Sequence, residues 1–339
     1  MTPKVSAVVL SYKDEPWLER GVHALLASRG VDIDVVLVDN GCTDGAVERL
    51  RGTPGLTIVG EGENLGFSPG CNFGASFTTG DYLVMANGDL VVEPDALARL
   101  VEVVDDPTVG IAGGSIRLGD DLTTLNSAGN DIHFLGFSWV GGFGEPAATH
   151  AIEKDVAGAM AALVMLRREV WEMLDGYEPH YFAFHEDADM SWRCWQQGLR
   201  VHYVPDAIGC HRYEFGRVTN KMYLVERNRL IFLLTCWDSR TLWLLAPLIA
   251  ASEVAMALIG LRSGWFKEKV HGWGWLFSHR RWLRERRHAV QSARTVGDKE
   301  LARLMSDRLD AKNFPIPESL RFLDAAAAGY WKFVRQFLR

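Results

Sequence analysis

Positive charge is in short supply: 36 Lys and Arg stand against 43 Asp and Glu in 339 residues, a formal net charge of -7. A nucleic-acid binder is usually basic, so no nucleic-acid partner is expected. Cysteine is sparse and unpatterned, with Cys42, Cys71, Cys194, Cys210 and Cys236 forming no C-x-x-C pair. That excludes a zinc knuckle and a disulfide framework and predicts a reducing, cytosolic setting. The N-terminal apolar run, Val5–Leu10, is too short for a secretory signal and reads as a first strand. No G-x-G-x-x-G follows it, since Ser11-Tyr12-Lys13-Asp14 stands there, and a dinucleotide-dependent dehydrogenase is excluded. Repeats and low-complexity segments are lacking too. What is left is an ordinary globular composition, 48% hydrophobic and 23% charged, long enough for one large domain or two modest ones.

The apolar runs Ser6–Tyr12, Asp34–Asp39, Leu56–Val59, Tyr82–Ala86 and Val109–Gly113 read as strands. Between them lie helical patterns: one after Pro16, with Leu18, Val22, Leu25 and Leu26 on one face and Asp14 as N-cap, a short one that Asp44 would cap, and one over Pro94–Val104. Near-continuous apolar strands alternating with helices predict an α/β fold with a mostly parallel sheet covered on both faces. Residues 115–156 are loop-rich, with aromatic residues among glycines, and fit either a mobile substrate-facing insertion or irregular hairpins. A strand at Ala161–Leu166, helices at Arg168–Leu174 and 187–197, the latter closed by Gly198, and a strand at Val201–Val204 follow.

From Met222 the texture changes. Tyr223–Thr235 reads as helix, and Leu242–Leu261 carries a single charge, Glu253, over a length that fits a membrane span of about 20 residues. Pro247, Glu253 and several small residues weaken the span. The stretch beyond it is basic, from Arg262 to Arg294, with Trp265, Phe266, Trp273, Trp275, Phe277 and Trp282 interleaved. Tryptophan with arginine is what a membrane interface selects. A helical cap packed on the sheet is the competing arrangement. Peripheral membrane contact through 242–294 is the expectation, on the inner face of the plasma membrane.

Polar clusters sit where strands end, and ligands bind beyond the carboxyl ends of strands in an open α/β sheet. Asp39-Asn40-Gly41 ends the second strand, and a carboxylate there can accept from a base N–H or a ribose hydroxyl, although D-N-G is also a common turn. Glu63-Asn64-Leu65-Gly66-Phe67, with Gly70, Asn72 and Gly74 beyond, lets backbone approach a ligand or is simply a glycine-rich loop. Asn87-Gly88-Asp89 ends the Tyr82–Ala86 strand. Its carboxylate is placed to hold a divalent cation against phosphate oxygens, unless the segment is only a hairpin turn. Glu186, Asp187 and Asp189 cluster at a helix start, where acids favour the helix dipole; the flanking Tyr181, Phe182 and Phe184 are less usual there and would make a carboxylate a better base. His211 gains weight as a ligand only if it lands near Asp89.

In this order, V-V-L-S-Y, V-L-V-D-N-G-C-T-D-G, E-N-L-G-F-S-P-G-C-N-F-G, G-D-Y-L-V-M-A-N-G-D, A-F-H-E-D-A-D-M-S-W-R and His211 resemble the family 2 glycosyltransferases, and among them bacterial rhamnosyltransferase-like members with a Y-L-x-x-R-N-R-L segment, here Tyr223 to Leu230. The likeness covers roughly residues 4–235. It implies a GT-A fold with a catalytic domain over 1–221, divided into a nucleotide half of about 1–114 and an acceptor half of about 115–221, and a helical basic region over 222–339. It implies inverting transfer from a nucleoside-diphosphate sugar, dTDP-rhamnose among the possible donors, to a glycan or lipid-linked acceptor of the cell envelope. By position, Ser11, Tyr12, Asp39, Asn40, Asn64, Gly66, Asn72, Asn87 and Gly88 would bind the nucleotide sugar. Asp89 and His211 would hold Mg²⁺ or Mn²⁺, and Asp187, with Glu186 beside it, would be the general base. The family's D-x-D has Asn at 87 here, leaving one carboxylate for the metal. A sugar nucleotidyltransferase is disfavoured by Ser11–Asp14 standing in place of a basic glycine-rich loop. A silent nucleotide-sugar-binding protein is disfavoured by intact Asp89, Glu186, Asp187 and His211. Homo-oligomer formation stays open.

Overall fold

A computed structural model describes residues 2–212, 221–310 and 321–338. Of the expected C-terminal region, residues 311–320 and 339 lie outside the described residues. The chain divides into two compact units: Met1–Asn130 with Val140–Cys194 and Leu199–Glu214, and Asp131–Trp139 with Trp195–Gly198 and Phe215–Arg339.

The first unit begins β1 (Lys4–Lys13), α1 (Leu18–Leu26), β2 (Asp32–Cys42), α2 (Ala46–Leu50), β3 (Leu56–Val59), α3 (Phe67–Ala75), β4 (Tyr82–Asn87), β5 (Leu90–Val92), α4 (Ala96–Val104) and β6 (Val109–Leu118). It continues through β7 (Asp121–Ser127), β10 (Lys154–Asp155), β11 (Leu163–Arg167), α5 (Arg168–Met173), α6 (Glu186–Gln196, whose last two residues fall in the second unit) and β12 (Arg200–His211). β8 (Asn130–His133) and β9 (Ser138–Val140) lie between β7 and β10 in the chain but, apart from Asn130 and Val140, belong to the second unit. The ten-stranded sheet runs β10-β12-β6-β11-β4-β1-β2-β3, with β5 on β12 and β7 on β6. β3, β2, β1 and β4 are parallel, and β6 and β12 are parallel to each other. β11 runs antiparallel to both β4 and β6, so those two point the same way and their carboxyl ends share one edge. The α/β, mostly parallel sheet expected from the sequence is therefore present.

Its core is the alternating set Val5, Ala7 and Val9 with Val35, Leu37, Val84, Leu163 and Met165, covered by Leu18, Val22 and Leu25 of α1 and Leu97, Leu100 and Val104 of α4. Each such side chain contributes about 1.5–3 kcal/mol when fully buried. α3 lies close on the sheet because it offers glycine where it touches. A Cβ at Gly70 would come within 2.6 Å of Leu10 Cδ2, and one at Gly74 within 2.5 Å of Val8 Cγ1. Those two glycines therefore serve helix packing rather than ligand approach. The 115–156 stretch is hairpins: β7 returns along β6, and Leu125 N–H bonds back to Glu145 O. Asp14 does not cap α1, whose N-cap is Trp17; it accepts instead from Thr43 Oγ1 at 2.5 Å. Asp44 does serve α2, accepting from Ala46 N–H at 3.0 Å.

The second unit holds α7 (Lys221–Cys236), α8 (Ser239–Ser263), α9 (Phe266–Ser278), α10 (Arg280–Ala293), α11 (Asp298–Leu301), β13 (Met305–Ser306) and α12 (Arg321–Val334), with a three-stranded sheet ordered β13-β8-β9. Arg227 and Arg229 of the R-N-R-L segment are buried. Arg227 donates to Asn228 Oδ1 at 2.9 and 2.8 Å and lies over the Trp275 ring. Arg229 pairs with Glu226 and Glu253, Lys269 Nζ sits 2.5 Å from Glu226, and Trp273 Nε1 donates to Glu253 at 2.7 Å. Glu253, which weakens a membrane span when read from sequence, is thus a neutralised partner inside the helical unit. An exposed stripe of α8 is apolar from end to end: Trp243, Pro247, Ala250, Ala251, Val254, Leu258 and Leu261 are all exposed, Trp243 to 81%.

Candidate active site

Three strand ends build the first cluster. β4 stops at Asn87 and the chain turns at Gly88, where a Cβ would lie 2.6 Å from Leu10 O, so only glycine fits. β5 then pairs antiparallel with the end of β12, setting Leu90 opposite His211. Asp89 is thereby delivered to the histidine, with Oδ1 3.0 Å from Nε2, and its carbonyl accepts from Arg212 N–H at 3.0 Å. Asn87 Nδ2 approaches the same Nε2 at 3.2 Å, and Asn126 Oδ1 on β7 lies 2.9 Å from Nδ1.

With Asn126 accepting from Nδ1–H, the Nε2 lone pair points at the Asp89 carboxylate. Two acceptors at 3.0 Å repel unless a cation or a proton lies between them. One imidazole nitrogen and one carboxylate oxygen, with an outer partner fixing the ring, are a donor set that fits a divalent ion. No group of three His, Cys, Asp or Glu that could hold a metal occurs among the described residues. Two protein ligands leave most positions to ligand oxygens and water, as Mg²⁺ usually has them.

The neighbouring strand ends carry the residues expected to hold the nucleotide. Asp39 Oδ1 accepts from Gly41 and Cys42 N–H at 3.3 and 3.2 Å, and Gly62 backs against its carboxylate. Asn40 Oδ1 accepts from Leu65 N–H at 2.8 Å and its amide reaches Asn64 Oδ1 at 3.5 Å, while Asn64 also receives Gly66 N–H. Tyr12 is half-buried at the end of β1. Ser11 and Asn72 are used differently from the expectation. Ser11 is fully buried, its Oγ donating to Val38 O. Asn72 spends both ends of its amide on Tyr177, donating to its carbonyl at 2.7 Å and accepting its N–H at 3.0 Å. Gly66 is left-handed at φ +92, and a Cβ there would strike the Phe182 ring at 2.5 Å. The Asn64–Asn72 loop is thus stapled to the segment that precedes α6.

That segment is strained: Phe182, Phe184 and His185 all have φ between +63 and +71 without being glycine. Backbone held in this region costs of order 1–3 kcal/mol per residue and clusters at functional sites. It launches α6 with Glu186 and Asp187. Asp189 is structural, buried and bound to Arg193 Nε at 2.7 Å and Tyr181 OH at 3.1 Å. Asp187 is only half-buried, and it accepts from Asn130 Nδ2 at 2.8 Å and Ala188 N–H at 2.8 Å. Burial raises its pKa, and those hydrogen bonds hold part of the rise back. Glu186 is buried, its Oε2 without a hydrogen-bond partner, and burial followed by the charge of Asp187 pushes its carboxyl well above the usual range. Burial raises both carboxyls, and Asp187 has the hydrogen bonds from Asn130 and Ala188 that hold its rise back, so Asp187 is the candidate base of the two. Asn126 and Asn130 had no signature in the sequence, since isolated asparagines in a loop-rich stretch look like turn residues.

The glycosyl transferase family 2 model matches residues 6–174, a span that includes Asp39, Asn40, Asn64 and the Asn87-Gly88-Asp89 turn. This chain belongs to glycosyl transferase family 2. It is 25% identical over 290 residues to the N-acetylglucosaminyl-diphospho-decaprenol L-rhamnosyltransferase of Mycobacterium tuberculosis, covering 76% of this chain and 92% of that protein. It is 30% identical over 213 residues to the O-antigen biosynthesis protein RfbC of Myxococcus xanthus, covering 59% of this chain and 16% of that one. Among solved structures, GalNAc-T7 with UDP, GalNAc and Mn²⁺ superposes with TM-score 0.58 at 18% identity, over 70% of this chain and 49% of the other. The mannosyltransferase PcManGT from Pyrobaculum calidifontis, with GDP-Man and Mn²⁺, superposes with TM-score 0.50 at 19% identity, over 99% and 83%. The fold of this family 2 transferase is therefore GT-A.

The Asn130 contact makes a pH prediction for the transferase. Asn130→Ala removes a hydrogen bond that lowers the Asp187 pKa, so the acid limb of kcat moves to higher pH while the alkaline side is unchanged. A pH–rate profile with an unmoved acid limb rules out Asp187 as the titrating group.

Proposed function

We propose that this chain is an inverting transferase that moves a sugar, L-rhamnose from its nucleoside-diphosphate form, to a hydroxyl of a saccharide carried on a polyprenyl diphosphate, in cell-envelope glycan synthesis. The observation that carries the reading is the Asp89–His211 pair at the carboxyl edge of the sheet, 3.0 Å apart and oriented by Asn126. The choice of sugar and acceptor rests on the Mycobacterium tuberculosis rhamnosyltransferase, whose length this chain spans by 92%.

Asp187 accepts the proton of the acceptor hydroxyl as that oxygen attacks the anomeric carbon, on the side opposite the leaving group. Burial pushes the Glu186 carboxyl upward and so disfavours a second negative charge beside the base. Asp39 and the Asn40–Asn64 pair orient the nucleoside, and Asp89 with His211 would hold Mg²⁺ or Mn²⁺ against the diphosphate. When bound, that ion neutralises the charge that develops on the leaving diphosphate. The apolar outer stripe of α8, with exposed Arg262, Lys267, Arg280, Arg281 and Arg284 on the same unit, supports peripheral attachment to the inner face of the plasma membrane, where a polyprenyl-linked acceptor resides.

The test is a thermal-shift panel of dTDP, UDP and GDP with Mn²⁺, followed by turnover of the matching sugar nucleotides. A nucleoside diphosphate present at 100 times its Kd stabilises by about 2.7 kcal/mol. We expect one nucleotide to raise Tm with Mn²⁺, EDTA to remove most of the rise, and Asp89→Ala to lose the same metal-dependent part. Titrations identical with and without EDTA, in both proteins, would falsify the metal role. Pyrophosphate release from a sugar 1-phosphate and a nucleoside triphosphate would replace transfer by nucleotidyl chemistry.

A further inference from the structure

Arg117 near the carboxyl end of β6 belongs to none of the groups described above, yet it is 94% withdrawn from solvent, at 6% exposure. Its neighbours in register are Cys210 on β12 and Leu125 on β7, one step before the Leu118–His211 pair. Strand alternation puts it on the sheet face of Ile111, Gly113 and Ser115. Ile111 and Asp187 line one small cavity together with Val164 and Tyr177, so this is the face of the base.

Nε and Nη1 of Arg117 are buried without a hydrogen-bond partner, while the guanidinium reaches the Tyr203 phenol, itself 2.6 Å from Ser115 Oγ. No carboxylate pairs with it among the described residues. An arginine keeps its charge when buried, and its donors form a rigid fork matched to phosphate. A buried unpaired charge destabilises the fold that holds it. Hydrophobic packing would serve the strand better, unless an anion completes the site during turnover.

We propose that Arg117 is an anion clamp: its guanidinium, swinging from Tyr203 on its flexible stem, takes a phosphate oxygen of the reacting complex. The phosphate belongs either to the donor diphosphate or to a phosphate-linked acceptor. The clamp rests on the sugar-transfer reading only for the identity of that phosphate.

The full chain is compared with Arg117→Met and Arg117→Lys in three measurements: apo Tm, binding of nucleoside diphosphates and of inorganic pyrophosphate with Mn²⁺, and KM for donor and acceptor. For Arg117→Met we expect apo Tm to rise by about 2 °C or more, because a buried charge with no carboxylate partner among the described residues is gone. Affinity should fall about 100-fold. A loss in nucleoside-diphosphate and pyrophosphate binding assigns the clamp to the donor; a loss confined to the acceptor KM assigns it to the acceptor. Arg117→Lys recovers part of the affinity in either case. Unchanged binding and KM in Arg117→Met overturn the clamp whatever Tm does, and so does a lowered Tm with equal losses in both variants. If no nucleoside diphosphate binds the unaltered chain, the sugar-transfer reading fails by itself, and pyrophosphate binding alone then decides for or against the clamp.

Discussion

Asp187→Asn is expected to lower kcat by about 10³–10⁴-fold, the scale of a lost general base, while nucleoside-diphosphate binding changes less than twofold. Asn130 Nδ2 and Ala188 N–H are accepted by different oxygens of Asp187, Oδ2 and Oδ1, so the amide keeps one of these bonds and loses the other along with the capacity to take a proton. Apo Tm, measured beside kcat, separates the lost hydrogen bond from the lost base. Glu186→Gln is the discriminating partner. If Glu186 already carries its proton, glutamine replaces a neutral acid with a neutral amide, and turnover stays within about tenfold of the unaltered enzyme. The same variant reports through stability. Glu186 has its folded pKa raised above the unfolded value, so its stabilising effect is present in full below the unfolded pKa and is lost as pH rises through the folded one. Glu186→Gln should therefore raise Tm more at pH 7.5 than at pH 4. A Glu186→Gln enzyme as dead as Asp187→Asn, with a Tm gain independent of pH, reverses the assignment of the two carboxyls.

Why the sequence could suggest Asp187 but not its supporting groups is a matter of range. Tyr82–Ala86 is legible to within one residue because a buried parallel strand is a continuous apolar run, and Leu56–Val59 is legible to the residue although it is a partly exposed edge strand, since its run of four is bounded by turn residues. Strand direction has no such signature, and the antiparallel course of β11, which aligns the ends of β4 and β6, came only from the structure. β12 reads as ending at Val204 since Pro205 and Asp206 interrupt the run. It passes through an irregularity between Val204 and Ile208 and continues to His211, and that extension is what brings the histidine to Asp89. Ser11 and Asn72 show the converse error. Both stand in ligand-like motifs, yet one closes a hydrogen bond inside the sheet and the other staples α3 to Tyr177. A motif fixes which residues gather near a site, while burial and partners decide which of them face the ligand.

Replacing Val254 and Leu258 on α8 with glutamate should release the chain from membranes, and the effect is expected to be as large as any on catalysis. Both side chains are 61% exposed, so neither substitution opens a cavity, and neither belongs to the Arg229–Glu253–Lys269 cluster. The stripe they belong to runs from Trp243 to Leu261, about 27 Å at 1.5 Å per residue. Leaving it in water forfeits burial of some seven side chains, the strongest reason to expect that something covers it. Lipid is favoured over a second copy by charge, because the exposed flank carries Arg262, Lys267, Arg280, Arg281 and Arg284 against Glu285, a pattern that repels itself and attracts anionic headgroups. Moving two carboxylates into the interface costs a few kcal/mol together, so vesicle partitioning should fall roughly 10³-fold. Co-sedimentation with phosphatidylglycerol vesicles reads this directly, with phosphatidylcholine vesicles and high salt as the arms that weaken the basic contribution. Arg281→Glu with Arg284→Glu should abolish the preference for anionic lipid while leaving the apolar part of binding. If the unaltered chain ignores vesicles and sediments as a dimer that the Val254→Glu, Leu258→Glu variant dissociates, the stripe is a self-association surface and the membrane reading is withdrawn.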